Sequence, residues 1–91
     1  MNLQVHFTHT FVENYEAVPQ SDLPGVNQML DRLERHHARP EMRHILRIGD
    51  VSLFATPRIH APGGVYRITW RYDDRDRPTV IVCITVASIE T

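Results

Sequence analysis

Lysine is absent: all ten basic residues of this 91-residue chain are arginine. A GC-rich coding genome accounts for such a bias, but the chemical consequence holds whatever its origin. Every permanently cationic side chain is a planar guanidinium, suited to bidentate contact with phosphate or carboxylate. Cysteine is nearly absent too. The single thiol, Cys83, cannot form an intramolecular disulfide, and its apolar neighbours mark it as a small buried hydrophobe in a reducing compartment. No apolar run approaches the ~20 residues that span a bilayer. The opening MNLQVHFTHT lacks the basic start and apolar core of a signal peptide. A cytoplasmic location without a membrane partner is the expectation. A clear excess of positive charge is missing as well, since the net charge is −1, so any nucleic-acid site must be local. His36, His37 and His44 have no cysteine or acidic partner at ligand spacing, and neither a metal nor a small-molecule cofactor is expected.

The length suits one small domain over residues 1–91. Its organising stretch runs from Ser52 to Ser88 and reads as three consecutive antiparallel strands. In the middle one Tyr66, Ile68, Trp70 and Tyr72 alternate with Val65, Arg67, Thr69 and Arg71, giving one aromatic-aliphatic face and one face with two arginines. The run Thr79 to Ala87 is apolar at nearly every position, as in a central strand covered on both faces. Ala61-Pro62-Gly63-Gly64 and Asp73 to Pro78 are the turns between these strands.

Before this block, Leu3, Val5 and Phe7 alternate as a short first strand. Thr8 or Thr10 is placed to cap a helix carrying Phe11, Tyr15 and Val18, which Pro19 stops. Ser21 or Asp22 is placed to cap a second, with Pro24 in its first turn and Val26, Met29, Leu30 and Leu33 as its apolar stripe. Glu41 to Ile48 has no clear period and reads at most as one more helical turn before the turn at Gly49-Asp50. The fold class is therefore α+β: strand, two helices, then a three-stranded meander, with the helices on one face of a small twisted sheet.

Element order and spacing, and above all Gly64-Val65-Tyr66-Arg67-Ile68-Thr69-Trp70 with Pro57-Arg58-Ile59-His60 before it, resemble the RelE/ParE superfamily of bacterial toxins. In its RelE branch the resemblance implies a ribosome-associated, metal-independent endonuclease of messenger RNA, neutralised by a cognate antitoxin. There the ribose 2′-hydroxyl attacks the adjacent phosphate, helped by a base, by cations on the developing phosphorane and by an acid for the leaving oxygen. Carried over, Arg58 and His60 fill paired basic positions two apart on one strand face. Arg67 fills the Tyr-Arg position as the phosphate clamp, with Arg71 extending the track. His60 is the proton carrier, because histidine titrates nearest neutrality. The relatives' basic, aromatic carboxyl end is not matched, since the chain reads Ala87-Ser88-Ile89-Glu90-Thr91 after Val86.

Two further readings stay open beside the nuclease. One is a ParE-like protein that poisons DNA gyrase by contact; the other is a toxin-fold module that only binds an antitoxin. Residue by residue, Arg67 and Arg71 also read as solvated charges on an exposed sheet face. Tyr66, Trp70 and Tyr72, on the face the helices should cover, read as core rather than as base-stacking platforms. Glu41 matches a possible base in some relatives.

Overall fold

The structure is a computed structural model that describes residues 3–89. Two helices pack on a sheet of six strands, β1 (Gln4–Phe7), β2 (His44–Ile48), β3 (Val51–Ala55), β4 (Ile59–Ala61), β5 (Gly64–Tyr72) and β6 (Val80–Ser88). The helices are α1 (His9–Ala17) and α2 (Leu23–His36). Strand order is β1-β6-β5-β3-β2, with β4 also paired to β5, and every pairing is antiparallel except β1 with β6.

The expected α+β arrangement is present, with more strands than the four read from the sequence. Glu41 to Ile48 contains a 3-10 turn at Pro40–Met42 and then β2, a strand rather than a helical turn. The strand hid because it is the sheet's edge. Ile45 and Ile48 are 62% and 64% exposed, so no burial imposed a readable alternation on β2. Gly49, at φ 61°, closes the β2–β3 hairpin in the left-handed region that suits glycine. The first strand of the expected meander is likewise divided into β3 and β4, because Pro57 supplies no N–H at the break.

At that break Thr56 replaces the missing ladder contacts. Its amide donates to the Ile68 carbonyl at 3.0 Å, and its hydroxyl accepts the Ile68 amide at 3.2 Å. Strand β5 keeps the expected alternation: Tyr66, Ile68, Trp70 and Tyr72 are buried under the helices, while Val65, Arg67 and Thr69 are half-buried on the other side and Arg71 is exposed.

Strand β6 corrects one expectation. It is central, between β1 and β5, yet only one of its faces is fully buried. Its unbroken apolar run has another cause. Thr69 pairs with Thr85 but Trp70 pairs with Cys83, so Ile84 is an extra residue that bulges and reverses the alternation. Ile81 and Cys83 face the core before the bulge and Val86 after it. Thr8 ties this bulge to the first helix. Its hydroxyl donates to the Ile84 carbonyl at 2.8 Å and accepts the Phe11 amide at 3.1 Å as the cap of α1. Cys83 is fully buried, as expected, and burial pushes its thiol up to about 12, which keeps it inert.

A second polar cluster pins the end of α2 to β5. Arg43 donates through a terminal nitrogen to the Tyr72 hydroxyl and through Nε to the His37 carbonyl at 3.0 Å. His37 Nδ1 shares a further hydrogen bond with the Tyr72 hydroxyl at 2.7 Å. Burial first, and the Arg43 charge second, hold its pKa below the ordinary 6.5. A lowered histidine pKa means the unfolded chain takes up the proton first. Its contribution to stability is therefore complete above pH 6.5 and is lost as pH falls through the folded value. Thermal unfolding between pH 7.5 and 5 is expected to show this loss. His37→Gln should flatten that part of the profile; an unchanged slope in the variant would refute the assignment.

Candidate functional site

Of the three residues singled out from the sequence, His60 lies on β4 and Arg67 on the neighbouring β5, while Arg58 stands just before β4, in the break after β3. Arg67 is half-buried on the sheet face away from the helices. Its Nε donates to the Thr56 carbonyl at 3.1 Å, which fixes the guanidinium at the break between β3 and β4. Among the described residues no carboxylate pairs with Arg67. That bond engages only Nε, and the two terminal nitrogens have no hydrogen-bond partner among the described residues.

Arg58 and His60 flank the buried Ile59 and both are exposed, but only His60 belongs to the rim strand β4; Arg58, expected on the same strand, falls in the break that Pro57 makes before it. His60 pairs with Val65, two residues before Arg67. Because β4 lies against α2, Arg58 and His60 also line a cleft of about 290 Å³ together with Gly25, Gln28, Met29 and Arg32. The structure thus brings Arg58 and His60 into one cleft and keeps Arg67 outside it, on the adjacent strand. Arg71 is exposed, and its guanidinium donates to the Tyr72 carbonyl at 3.0 Å. At the carboxyl end Ser88 is exposed and the Ile89 amide donates to the Val65 carbonyl at 2.7 Å. Glu90 and Thr91 lie outside the described residues.

One buried carboxylate holds this corner together. Asp22 precedes α2, where capping was expected, but its side chain does not bond the helix. It reaches the β4–β5 turn instead, accepting the Gly63 amide at 2.8 Å and the Tyr66 hydroxyl at 2.7 Å. Those donors, the Tyr66 hydroxyl foremost, hold its pKa below the ordinary 3.8. A lowered carboxylate pKa contributes stability above that value and loses it as pH falls through the folded one. Gly63 has no room for a side chain, because a Cβ would sit 2.6 Å from Asp22 Oδ2. Gly63→Ala is expected to cost about 1–3 kcal/mol in urea unfolding. A variant as stable as the parent would show that the turn does not depend on this contact.

Sequence reasoning missed Thr56, Asp22 in its real role, and Arg32. The signal for Thr56 was the Thr-Pro pair inside a supposed continuous strand. For Asp22 and Arg32 there was none, since both act across the gap between helix and strand.

No family model matches the chain, and no curated protein does. Solved structures do. The free-state structure of a mutant Escherichia coli toxin RelE aligns with 99% of this chain and 86% of its own, at a TM-score of 0.72 and 14% identity. The RelBE2 toxin-antitoxin complex of Mycobacterium tuberculosis aligns with 98% of this chain and 100% of its own, at 0.61 and 22%. The archaeal RelE-RelB complex from Pyrococcus horikoshii aligns over 97% and 96%, at 0.62 and 20%. Over nearly its whole length, this chain has the RelE fold.

Proposed function

We propose that this chain is the toxin of a type II toxin-antitoxin pair and that it cuts messenger RNA on the ribosome without a metal. The observation that carries the reading is a likeness to toxins and toxin-antitoxin complexes over the whole chain, in a molecule whose Arg67 has no carboxylate partner among its described residues. In the reaction the 2′-oxygen forms a bond to phosphorus as the bond from phosphorus to the 5′-oxygen breaks. Arg67 receives two nonbridging phosphate oxygens on its terminal nitrogens and stabilises the charge that builds there. Arg58 supplies a second cation, and His60 carries the proton between the two sugar oxygens. The partner is a cognate antitoxin, and the compartment is the cytoplasm.

Induced expression with primer extension on a reporter messenger tests this. Growth arrest with discrete cuts is the expected result. Arrest without cuts would replace the nuclease by a gyrase-type binder. Neither arrest nor cuts would leave a module that only binds an antitoxin.

A further inference from the structure

The cleft between α2 and β4 has a composition that the rest of the chain does not lead one to expect. The molecule carries a net charge of −1. Yet the cleft is lined by two arginines, a histidine and a glutamine, with no carboxylate among its lining residues. Arg32 and Gln28 stand on the helix wall, Arg58 and His60 on the strand wall, and the buried side chains of Met29 and Ile59 lie between them. Gly25 keeps the walls close, since a Cβ there would come within 3.2 Å of Ile59 Cγ2. Hydrogen-bond donors thus face an opening of about 290 Å³ from two sides, an arrangement that takes a compact anion with several acceptor oxygens.

One carboxylate from outside the lining approaches Arg32. Glu41 Oε1 lies 3.7 Å from Arg32 Nη2, beyond hydrogen-bond range, and both side chains are more than 40% exposed. Such a loose, solvated pair contributes little to stability and gives way readily to a better-placed anion. The cleft opens beside the Pro57-Arg58 break whose Thr56 carbonyl holds Arg67.

We propose that the α2–β4 cleft binds a backbone phosphate of single-stranded RNA, with Arg32 and Gln28 acting beside Arg58 and His60, and with Glu41 competing for Arg32. The inference deepens the RNA reading given above and rests on it. Glu41 is then a brake on RNA affinity and not a base in the reaction.

The test uses the full chain and a fluorescein-labelled 2′-O-methyl oligonucleotide, which has no free 2′-hydroxyl and so reports binding apart from cutting. Arg32→Gln is expected to weaken binding about fivefold. It should also reduce the slope of log affinity against log salt by about 0.7, the value for one phosphate contact on a single strand. Glu41→Gln is expected to do the reverse and tighten binding a fewfold. Both positions are on the surface, and circular dichroism confirms that each variant is folded.

Unchanged affinity and slope in Arg32→Gln would overturn the proposal, as would a wild type that does not bind the oligonucleotide at 50 mM salt (roughly the low-salt end of the range where phosphate contacts are strongest). A polyglutamate peptide bound as tightly as RNA, with the same dependence on Arg32, would reassign the cleft to an acidic protein segment. Arg32-dependent RNA binding by a protein that cuts no messenger would keep the cleft and remove the nuclease reading.

Discussion

Arg67→Ala is expected to lower messenger cleavage by about 100-fold or more while leaving the fold intact. Removing one preorganised donor from a developing oxyanion typically costs 10²–10³ in turnover. Arg67 is placed to supply two such contacts, because the Nε bond to the Thr56 carbonyl fixes the plane of its guanidinium. That bond is its one hydrogen bond among the described residues, and the side chain is half-buried with no carboxylate partner. Loss of the side chain should therefore cost little stability, on the order of the ~1 kcal/mol net value of one hydrogen bond. Arg67→Lys is the sharper variant. It keeps the charge but loses the fork, so it should retain binding of the 2′-O-methyl oligonucleotide better than it retains turnover. Cleavage by Arg67→Ala within a fewfold of wild type would remove Arg67 from the site.

The other large effect concerns stability. Trp70→Ala should cost about 3–5 kcal/mol, the range for truncating a buried aromatic to alanine. Trp70 is fully buried, with its ring centroid 4.9 Å from Phe54 and 5.0 Å from Tyr72. Its indole N–H also donates to the Met42 carbonyl at 2.9 Å, the bond that holds the 3-10 turn before β2. The variant leaves both a cavity and an unpaired buried carbonyl, and a small domain has only about 5–15 kcal/mol in all. The midpoint of thermal unfolding should fall by roughly 10 °C or more. Since Trp70 is the only tryptophan, circular dichroism rather than fluorescence is the measure. Trp70→Phe, which refills much of the space, should lose less. Equal losses in the two variants would mean that the Met42 bond, not packing, dominates.

Legibility in the sequence followed burial. Strand β5 and helix α2 each bury one face, and in both the apolar spacing alone named the right inward residues. Strand β2 buries almost nothing through Ile45 and Ile48, so its residues carried no period. Strand β6 misled for the opposite reason. A bulge at Ile84 brings residues of both parities inward, and the result looks like a strand covered on two faces. The site shows the same division. Arg58, His60 and Arg67 could be named from the sequence around β4 and β5, but the cleft belongs equally to Gln28 and Arg32 on α2. Helix and strand meet there through the Asp22 contacts to Gly63 and Tyr66, which join residues more than forty positions apart. No local pattern encodes that meeting.

The first strand and the first helix find their partner in the last-made strand of the sheet. Gln4 to Phe7 run beside Val80 to Cys83, and the Thr8 hydroxyl reaches the Ile84 carbonyl across 76 positions of sequence. During synthesis, β1 and one edge of β5 must wait without a neighbour until β6 emerges. Contacts this distant in sequence slow folding, because loop closure is met before they form. A nascent chain stopped anywhere short of β6 would expose two unpaired edges and lack the Ile81, Cys83 and Val86 part of its core. The sheet is thus completed only once β6 has been made, and a product that ends before it lacks the fold.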